Sequence, residues 1–459
     1  MSARLPRPDR TAGGSARNRR RFRTAAGVLT ASLLLTATAC GGAEDGLAQG
    51  AEGDGTGTIT FWDNNAGPDR TPVWEHIIAE FEEANPDIDV EYVGVPIAQV
   101  QQKYDTAIAA GGLPDVGGVG TAYLAGLTAQ NALEPLDDRI AGSALEGKFV
   151  TGFEQIVRGS GNGEELYAVP TSANAGTLWY RTDLFEEAGL RAPETWEDFY
   201  AAAEQLTDKD RGRYGFTIRG GAGSIAQALD AMYAQSGIDT FWGGDTTTVN
   251  DPANVAALER FVALYGEQTP TADLNNDSTK MIAQFDGGDI GMLQHNLASY
   301  TNHEEAFGAE NIAGVPLPPS APGAPRTIVS NPVDGLGLFR TSENKAAAWK
   351  FIEFAASHEM NSYWNEQVAA IPANTDAVDD EWFQAADAAH AAFEAFDDPN
   401  TKIVQLPYYL PEWNSLSKAE LEPDFQRVLL GEMTCQEFLD KFAAGLNEAQ
   451  ARWRERQGG

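Results

Sequence analysis

A proline interrupts a strand-like run at residues 166–180. The run LYAVPTSANAGTLWY begins apolar at Leu166, passes through small and polar residues from Thr171 to Thr177, and becomes aromatic at Leu178–Tyr180. Proline fixes φ and removes a donor, so a strand carrying Pro170 cannot be hydrogen-bonded on both sides within one sheet. The chain is therefore expected to change partners near Asn174. Short amphipathic helices follow as far as Leu206.

The segments before this crossing alternate. Thr58–Trp62 predicts a strand, Trp74, Ile77, Ile78 and Phe81 a helix, Ile88–Val95 a second strand, and Ile97, Val100, Tyr104 and Ile108 a second helix. Val116–Gly120 then leads into a helix near Tyr123–Gln130. Such alternation predicts a mostly parallel sheet covered on both faces, with ligands beyond the carboxyl ends of its strands. After the crossing, Thr195 followed by Asp198 signals a helix start, Tyr214–Ile218 is strand-like, Ser224–Gly237 is helical, and Trp242–Val249 is a loop or hairpin. Pro252–Glu267 opens a helix with its proline in the first turn, and Ile290–Leu293 is a strand ending in Gln294-His295-Asn296. Five prolines between Pro316 and Pro325 mark a connector, read as a second crossing. Acidic helices at Asp379–Phe396, the segment Pro407–Trp413 and an amphipathic helix over Phe425–Trp453 complete the chain.

Residues 1–39 hold a basic region (Arg17, Arg19, Arg20, Arg21, Arg23) and an apolar run, Thr24–Ala39. The run falls short of the ~20 residues that span a bilayer and reads as a signal peptide. Ala37-Thr38-Ala39-Cys40-Gly41 resembles the bacterial lipobox, which implies a diacylated Cys40, and Arg19-Arg20-Arg21-Phe22 resembles a twin-arginine export signal. Residues 40–57, rich in Gly and acids, are expected to form a flexible tether. The formal net charge of −35 repels phosphate backbones and argues against a nucleic-acid partner. Two cysteines, Cys40 and Cys435, leave no disulfide framework, and Cys435 is expected to be a structural thiol.

Gly142–Phe149 approaches a phosphate-binding loop, but Phe149 replaces the hydroxyl that would hold magnesium. No Gly-x-Ser-x-Gly elbow occurs, and the five histidines have no zinc spacing. Asp273, Asn275 and Asp277 start like a calcium loop, yet Ser278 and Gln284 stand where Gly and Glu are needed. None of these motifs commits the chain to an enzyme, a metal or a cofactor.

Pro170, Asn174, Trp179, Tyr180, Asp183, Leu184 and Phe185, followed by Gly189, Leu190, Pro193, Thr195, Trp196 and Asp198, resemble the crossover motif of the family 1 extracellular solute-binding proteins. Arg181 replaces a family Asn. Thr327–Phe339, Ala346–Ala356 and Ile371-Pro372 resemble the family's later segments, the last of these preceding a third crossing. The resemblance implies a two-lobed, hinged α/β fold of the type II periplasmic-binding-protein kind. Residues 58–173 and 326–372 would form lobe 1, and 174–325 and 373–459 lobe 2. It also implies capture of a carbohydrate, most simply an oligosaccharide, for an ABC permease by a monomer lipid-anchored to the outer face of the membrane.

For the site, Asp63 and Asn64 follow the first strand, where Asp63 accepts hydroxyl protons, and the family pattern adds Thr121 and Tyr123 in the next strand-end loop. Asn174 takes the polar position of the crossover. His295 and Asn296 end a later strand, with Ala298 where the family has tryptophan, and Asn331 and Asp334 lie on a returning strand. Trp413 matches a tryptophan the family uses as a sugar platform. Rings cover the apolar faces of a sugar while acids and amides satisfy its hydroxyl rim. A cationic ligand or peptide, a secreted carbohydrate-active enzyme, and a sensor or adhesin are the alternatives.

Overall fold

The computed structural model describes residues 47–161, 163, 165–330, 332–413 and 415–457. The signal peptide, Cys40 and Asn331 lie outside the described residues.

Among the described residues fourteen strands form two main sheets and two small ones. They are β1 Gly57–Asp63, β2 Ile88–Gly94, β3 Val116–Gly118, β4 Val169–Ala173, β5 Gly176–Arg181, β6 Tyr214–Thr217, β7 Trp242–Gly243, β8 Thr246–Thr247, β9 Ile290–Asn296, β10 Ile312–Pro316, β11 Thr327–Val329, β12 Val333–Leu338, β13 Ile371–Pro372 and β14 Lys402–Val404. The first sheet has the order β13-β4-β12-β3-β1-β2 and the second β10-β5-β9-β6. β1 runs parallel to β2 and β3, as the alternation predicts, whereas β12 returns antiparallel between β3 and β4.

Pro170 sits where its missing donor costs least. It faces Gly335 of β12, while the edge strand β13 reaches only Ser172 and Ala173, so no ladder partner waits on its other side. Two residues later the chain leaves the first sheet through Asn174–Ala175 and enters the second as β5. Buried Ile59, Phe61, Ile77, Phe81 and Phe351 pack around the first sheet, and Phe199, Phe216, Phe261, Phe425 and Phe442 around the second.

Three expectations are corrected by packing. Residues 49–56 are not a free tether: Gly50 and Ala51 donate to Arg340 O and Ser342 O, at 2.9 and 3.0 Å, and Arg139 holds Glu52 at 2.6 Å. Gly50 lies so close that a Cβ there would come 1.9 Å from Ser342 O. Second, Ile371-Pro372 does not lead directly to the second lobe. Phe383, Phe393 and Phe396 pack into the first core, Phe396 against Phe153 at 5.0 Å, and Thr375 N–H donates to Lys148 O. The chain crosses only near β14, which pairs in parallel with β11. Third, Phe425–Trp453 is two helices, Glu422–Leu429 and Cys435–Gln457, separated at Gly431 with φ +71°. Among the described residues no helix is long and apolar enough to cross a membrane.

Candidate functional site

The strand directions bring two edges together. β4 and β3 both run antiparallel to β12, so the carboxyl ends of β1, β3 and β4 share one edge of the first sheet with the start of β12. In the second sheet Gly176, at the start of β5, pairs with Asn296 at the end of β9, and β6 is parallel to β9. Both edges therefore meet at Asn174, whose Oδ1 accepts the N–H of Leu297 at 3.0 Å.

On the first edge Asp63 is buried. Its Oδ1 accepts Asn65 N–H at 2.9 Å and its Oδ2 the Tyr92 hydroxyl at 2.8 Å, while burial pushes its carboxyl above the ordinary range. Asn64 lies against Gly118, where a Cβ would come 2.5 Å from its Oδ1. Thr121 is buried, and its hydroxyl accepts Val333 N–H at 3.3 Å, which ties the helix start to β12. Tyr123 is half-buried, its phenol pushed up by burial and then by Asp334. Asp334 stands at a register shift opposite Ser172, 3.8 Å from Arg70, with its carboxyl also raised by burial. Asp63, Asn64, Arg70, Thr171, Asp334 and Trp364 border a cavity of about 20 Å³, close to what one water needs. Trp62 stacks on Tyr104 at 5.8 Å, and Lys103 Nζ stands 4.0 Å above its ring.

On the second edge His295 is buried between Ser278 Oγ, 2.7 Å from Nε2, and Asn296 Oδ1, 3.1 Å from Nδ1. Burial, then Arg219, lowers its pKa to about 4, so it is neutral, and Nε2 can accept a hydrogen bond from the Ser278 hydroxyl while Nδ1–H donates to Asn296. Asn296 is exposed, with its carbonyl accepting Trp179 Nε1–H at 3.2 Å. Behind it run residues that the sequence reading did not single out. Arg219 N–H donates to Gln227 Oε1 at 2.7 Å, Gln227 Nε2 to Gln294 O at 3.4 Å, and Gln294 Nε2 to Asp230 Oδ2 at 3.3 Å.

Asp63, Asn64, Tyr123 and Asp334 thus gather on one edge, and Asn174, His295 and Asn296 on the other. Trp413 joins neither. It is 4 % exposed, enclosed by Phe241, Tyr408 and Phe442 with ring centroids 5.9–6.2 Å away, and is a core residue rather than a platform. Of the missed residues, Asp230 had a signal in sequence, a lone acid within an otherwise apolar helix.

A family model described as bacterial extracellular solute-binding protein matches residues 67–362. The chain belongs to this family. The solute-binding protein is 27 % identical over 446 residues to a mannitol-binding protein of Pseudomonas aeruginosa, covering 90 % of this chain and 95 % of the relative. It is 24 % identical over 241 residues to an erythritol/L-threitol-binding protein of Mycolicibacterium smegmatis, half of each chain. The sugar-binding protein MalE of Xanthomonas citri superposes with a TM-score of 0.74 at 22 % identity, over 88 % of this chain and all of that one. That likeness establishes the two-lobed periplasmic-binding-protein fold. Proteins of this family are extracellular solute-binding proteins of the ABC-transporter type.

Proposed function

We propose that this solute-binding protein captures a carbohydrate, an oligosaccharide in the simplest reading, between its two lobes and delivers it to the membrane permease of an ABC importer. It works as a monomer on the outer face of the cell membrane, held there by a diacylated Cys40, and it performs no chemistry on its ligand. The observation that carries this reading is the meeting of two strand-end edges at Asn174, each lined with acids, amides or rings. A sugar hydroxyl both donates and accepts, so Asp334 and Asn296 complement its rim. Mannitol and erythritol, the ligands that name two relatives, are polyhydroxylated in the same way.

A thermal-shift screen against mono- to hexasaccharides and their alditols tests the reading. One sugar class is expected to raise the melting temperature in a saturable way, and incubation with it is expected to release no product. A glycosidase would need two carboxyl groups placed across one linkage, so product formation, or a panel in which nothing binds, would sink the proposal.

A further inference from the structure

The chain is strongly acidic, yet each of the two edges also carries a guanidinium whose donors meet no hydrogen-bond acceptor among the described residues, the first of them beside the Asp334 carboxyl. Both oxygens of Asp63 are taken, by Asn65 N–H and Tyr92. Asp230 holds the Gln294 amide at 3.3 Å. Asp277 accepts Lys280 N–H at 2.9 Å and pairs with its ammonium at 3.1 Å, and Glu422 accepts Gly223 N–H. The carboxylates around the second edge therefore have partners of their own.

The two arginines have no hydrogen-bond acceptor among the described residues, and Arg70 has only an ion pair with Asp334. Arg70 is half-buried over the Trp364 ring at 5.7 Å, and its guanidinium makes no hydrogen bond among the described residues; Asp334, at 3.8 Å, lies beyond hydrogen-bond reach. Arg219 has neither a side-chain hydrogen bond nor an ion pair among the described residues, and its Nε is buried without an acceptor. It is nonetheless held in place. Its backbone is fixed by Gln227, and its side chain folds over Gly223, where φ is +85° and a Cβ would come 2.7 Å from Nη1. A buried donor without an acceptor is destabilising, so a fold that fixes Arg219 in this way, and holds the part-exposed Arg70 on the other edge without a hydrogen-bond acceptor, is suited to a ligand that supplies the acceptors. A guanidinium offers five N–H donors in a planar fork that matches carboxylate or phosphate.

We propose that the carbohydrate carries an anionic group, a carboxylate or a phosphate, gripped by Arg70 of one lobe and Arg219 of the other. The ligand is then a sugar acid or a phosphorylated sugar or polyol. This rests on the carbohydrate reading above and narrows it. The negative field of the surface opposes approach, but salt screens it beyond about 10 Å at 0.1 M. Contacts inside a shut cleft are screened far less. Asp230, pushed up to about 7 by burial, is partly neutral at neutral pH and opposes the anion correspondingly less.

Calorimetry with six probes decides the matter: glucose, glucuronate and glucose 6-phosphate, and mannitol, mannonate and mannitol 1-phosphate. At 50 mM NaCl at least one charged probe is expected to bind ten times or more tighter than its neutral parent, and the advantage to shrink at 500 mM. Whether the carboxylates or the phosphates win identifies the anion. Arg70→Gln and Arg219→Gln are each expected to erase the preference, while Arg219→Lys, which keeps the charge and loses the fork, retains part of it; circular dichroism confirms that each variant is folded. If the neutral probes bind as tightly as the charged ones, the anionic ligand is overturned and the carbohydrate reading stands. If none of the six binds, this inference falls, and the saccharide panel then decides the broader reading by itself. A preference that survives in both glutamine variants would also overturn the grip.

Discussion

Asp230 lies on the helix Ser224–Ser236, whose neighbouring Ala228, Leu229 and Met232 are buried. Burial is the largest influence on it and raises its carboxyl to about 7, against the opposing effects of Arg219 and Gln294. The folded protein thus keeps this proton at pH values where the unfolded chain, titrating near 3.8, has lost it. Stability from the neutral form is fully present below about pH 4 and disappears as pH rises through about 7. Above that, the fold carries an ionised carboxylate in poor surroundings. Asp230→Asn keeps an acceptor for Gln294 and cannot ionise. In the ligand-free protein it is expected to raise stability at pH 8 by roughly 1–3 kcal/mol, the gain shrinking towards zero near pH 4. Melting curves across that range check it; a gain that does not depend on pH would contradict the assignment. At this scale the sequence showed which residues end strands, because strand ends follow from hydrophobic pattern. Arg70 and Arg219 stayed hidden, since what distinguishes them is the lack of a hydrogen-bond acceptor in space among the described residues. Trp413 was misread because a ring that follows a run of prolines and tyrosines looks the same in a core as on a platform.

The break between helices Glu422–Leu429 and Cys435–Gln457 shows what periodicity sees and what it misses. Both helices bury their apolar face against the same core, so the helical period continues across the gap and predicts one element. The stop is written in other residues. Gly431 takes the left-handed conformation, and Thr434 with Glu437 forms a capping box: Thr434 Oγ1 accepts Glu437 N–H at 3.1 Å, and Glu437 Oε2 accepts Thr434 N–H at 3.0 Å. Thr195 and Asp198 make the same exchange at the start of Trp196–Gln205, and there the sequence reading found it. Thr434→Ala is expected to cost about 1 kcal/mol, seen as a lower denaturant midpoint with unchanged slope. Thr434→Ser is expected to restore the parent value, and equal midpoints for all three proteins would remove the cap's role. Buried Cys435 opens the second helix, its thiol pushed up to about 12 by burial, which fits a structural thiol. The docking of residues 49–56 was illegible for a different reason. It depends on backbone hydrogen bonds to residues 340–346, and a Gly-rich, acidic stretch has the same composition whether docked or free.

For the whole molecule, the connections between the sheets decide what can move. The first is only Asn174–Ala175. The second and third are joined to each other, because β11 pairs with β14 at Thr327–Lys402, Ile328–Ile403 and Val329–Val404. A body joined this way can rotate about a few residues without breaking either core. Ligand shifts such an equilibrium only by the free energy of contacts present in one state and absent in the other. Moving a 1:99 population to 99:1 takes about 5.5 kcal/mol, and hydrogen bonds to charged groups contribute about 1.5–3 kcal/mol each. Two to four such contacts spread over both edges are therefore enough for closure, and a site on one lobe alone would not drive it. Asn174 is the residue through which the crossing grips the second edge, because its Oδ1 fixes both Leu297 N–H and its neighbour Ala175 N–H. Asn174→Ala removes that grip while leaving both sheets and all three connections in place. The variant is expected to stay folded and to bind the saccharide from the panel about five- to tenfold more weakly, the equivalent of one net hydrogen bond. Small-angle scattering on the parent is expected to show a smaller radius of gyration once ligand saturates, and the variant to reach the same compact form only at higher ligand concentration. A parent that binds without compaction, or a variant with unchanged affinity, would show that the lobes do not close through this crossing.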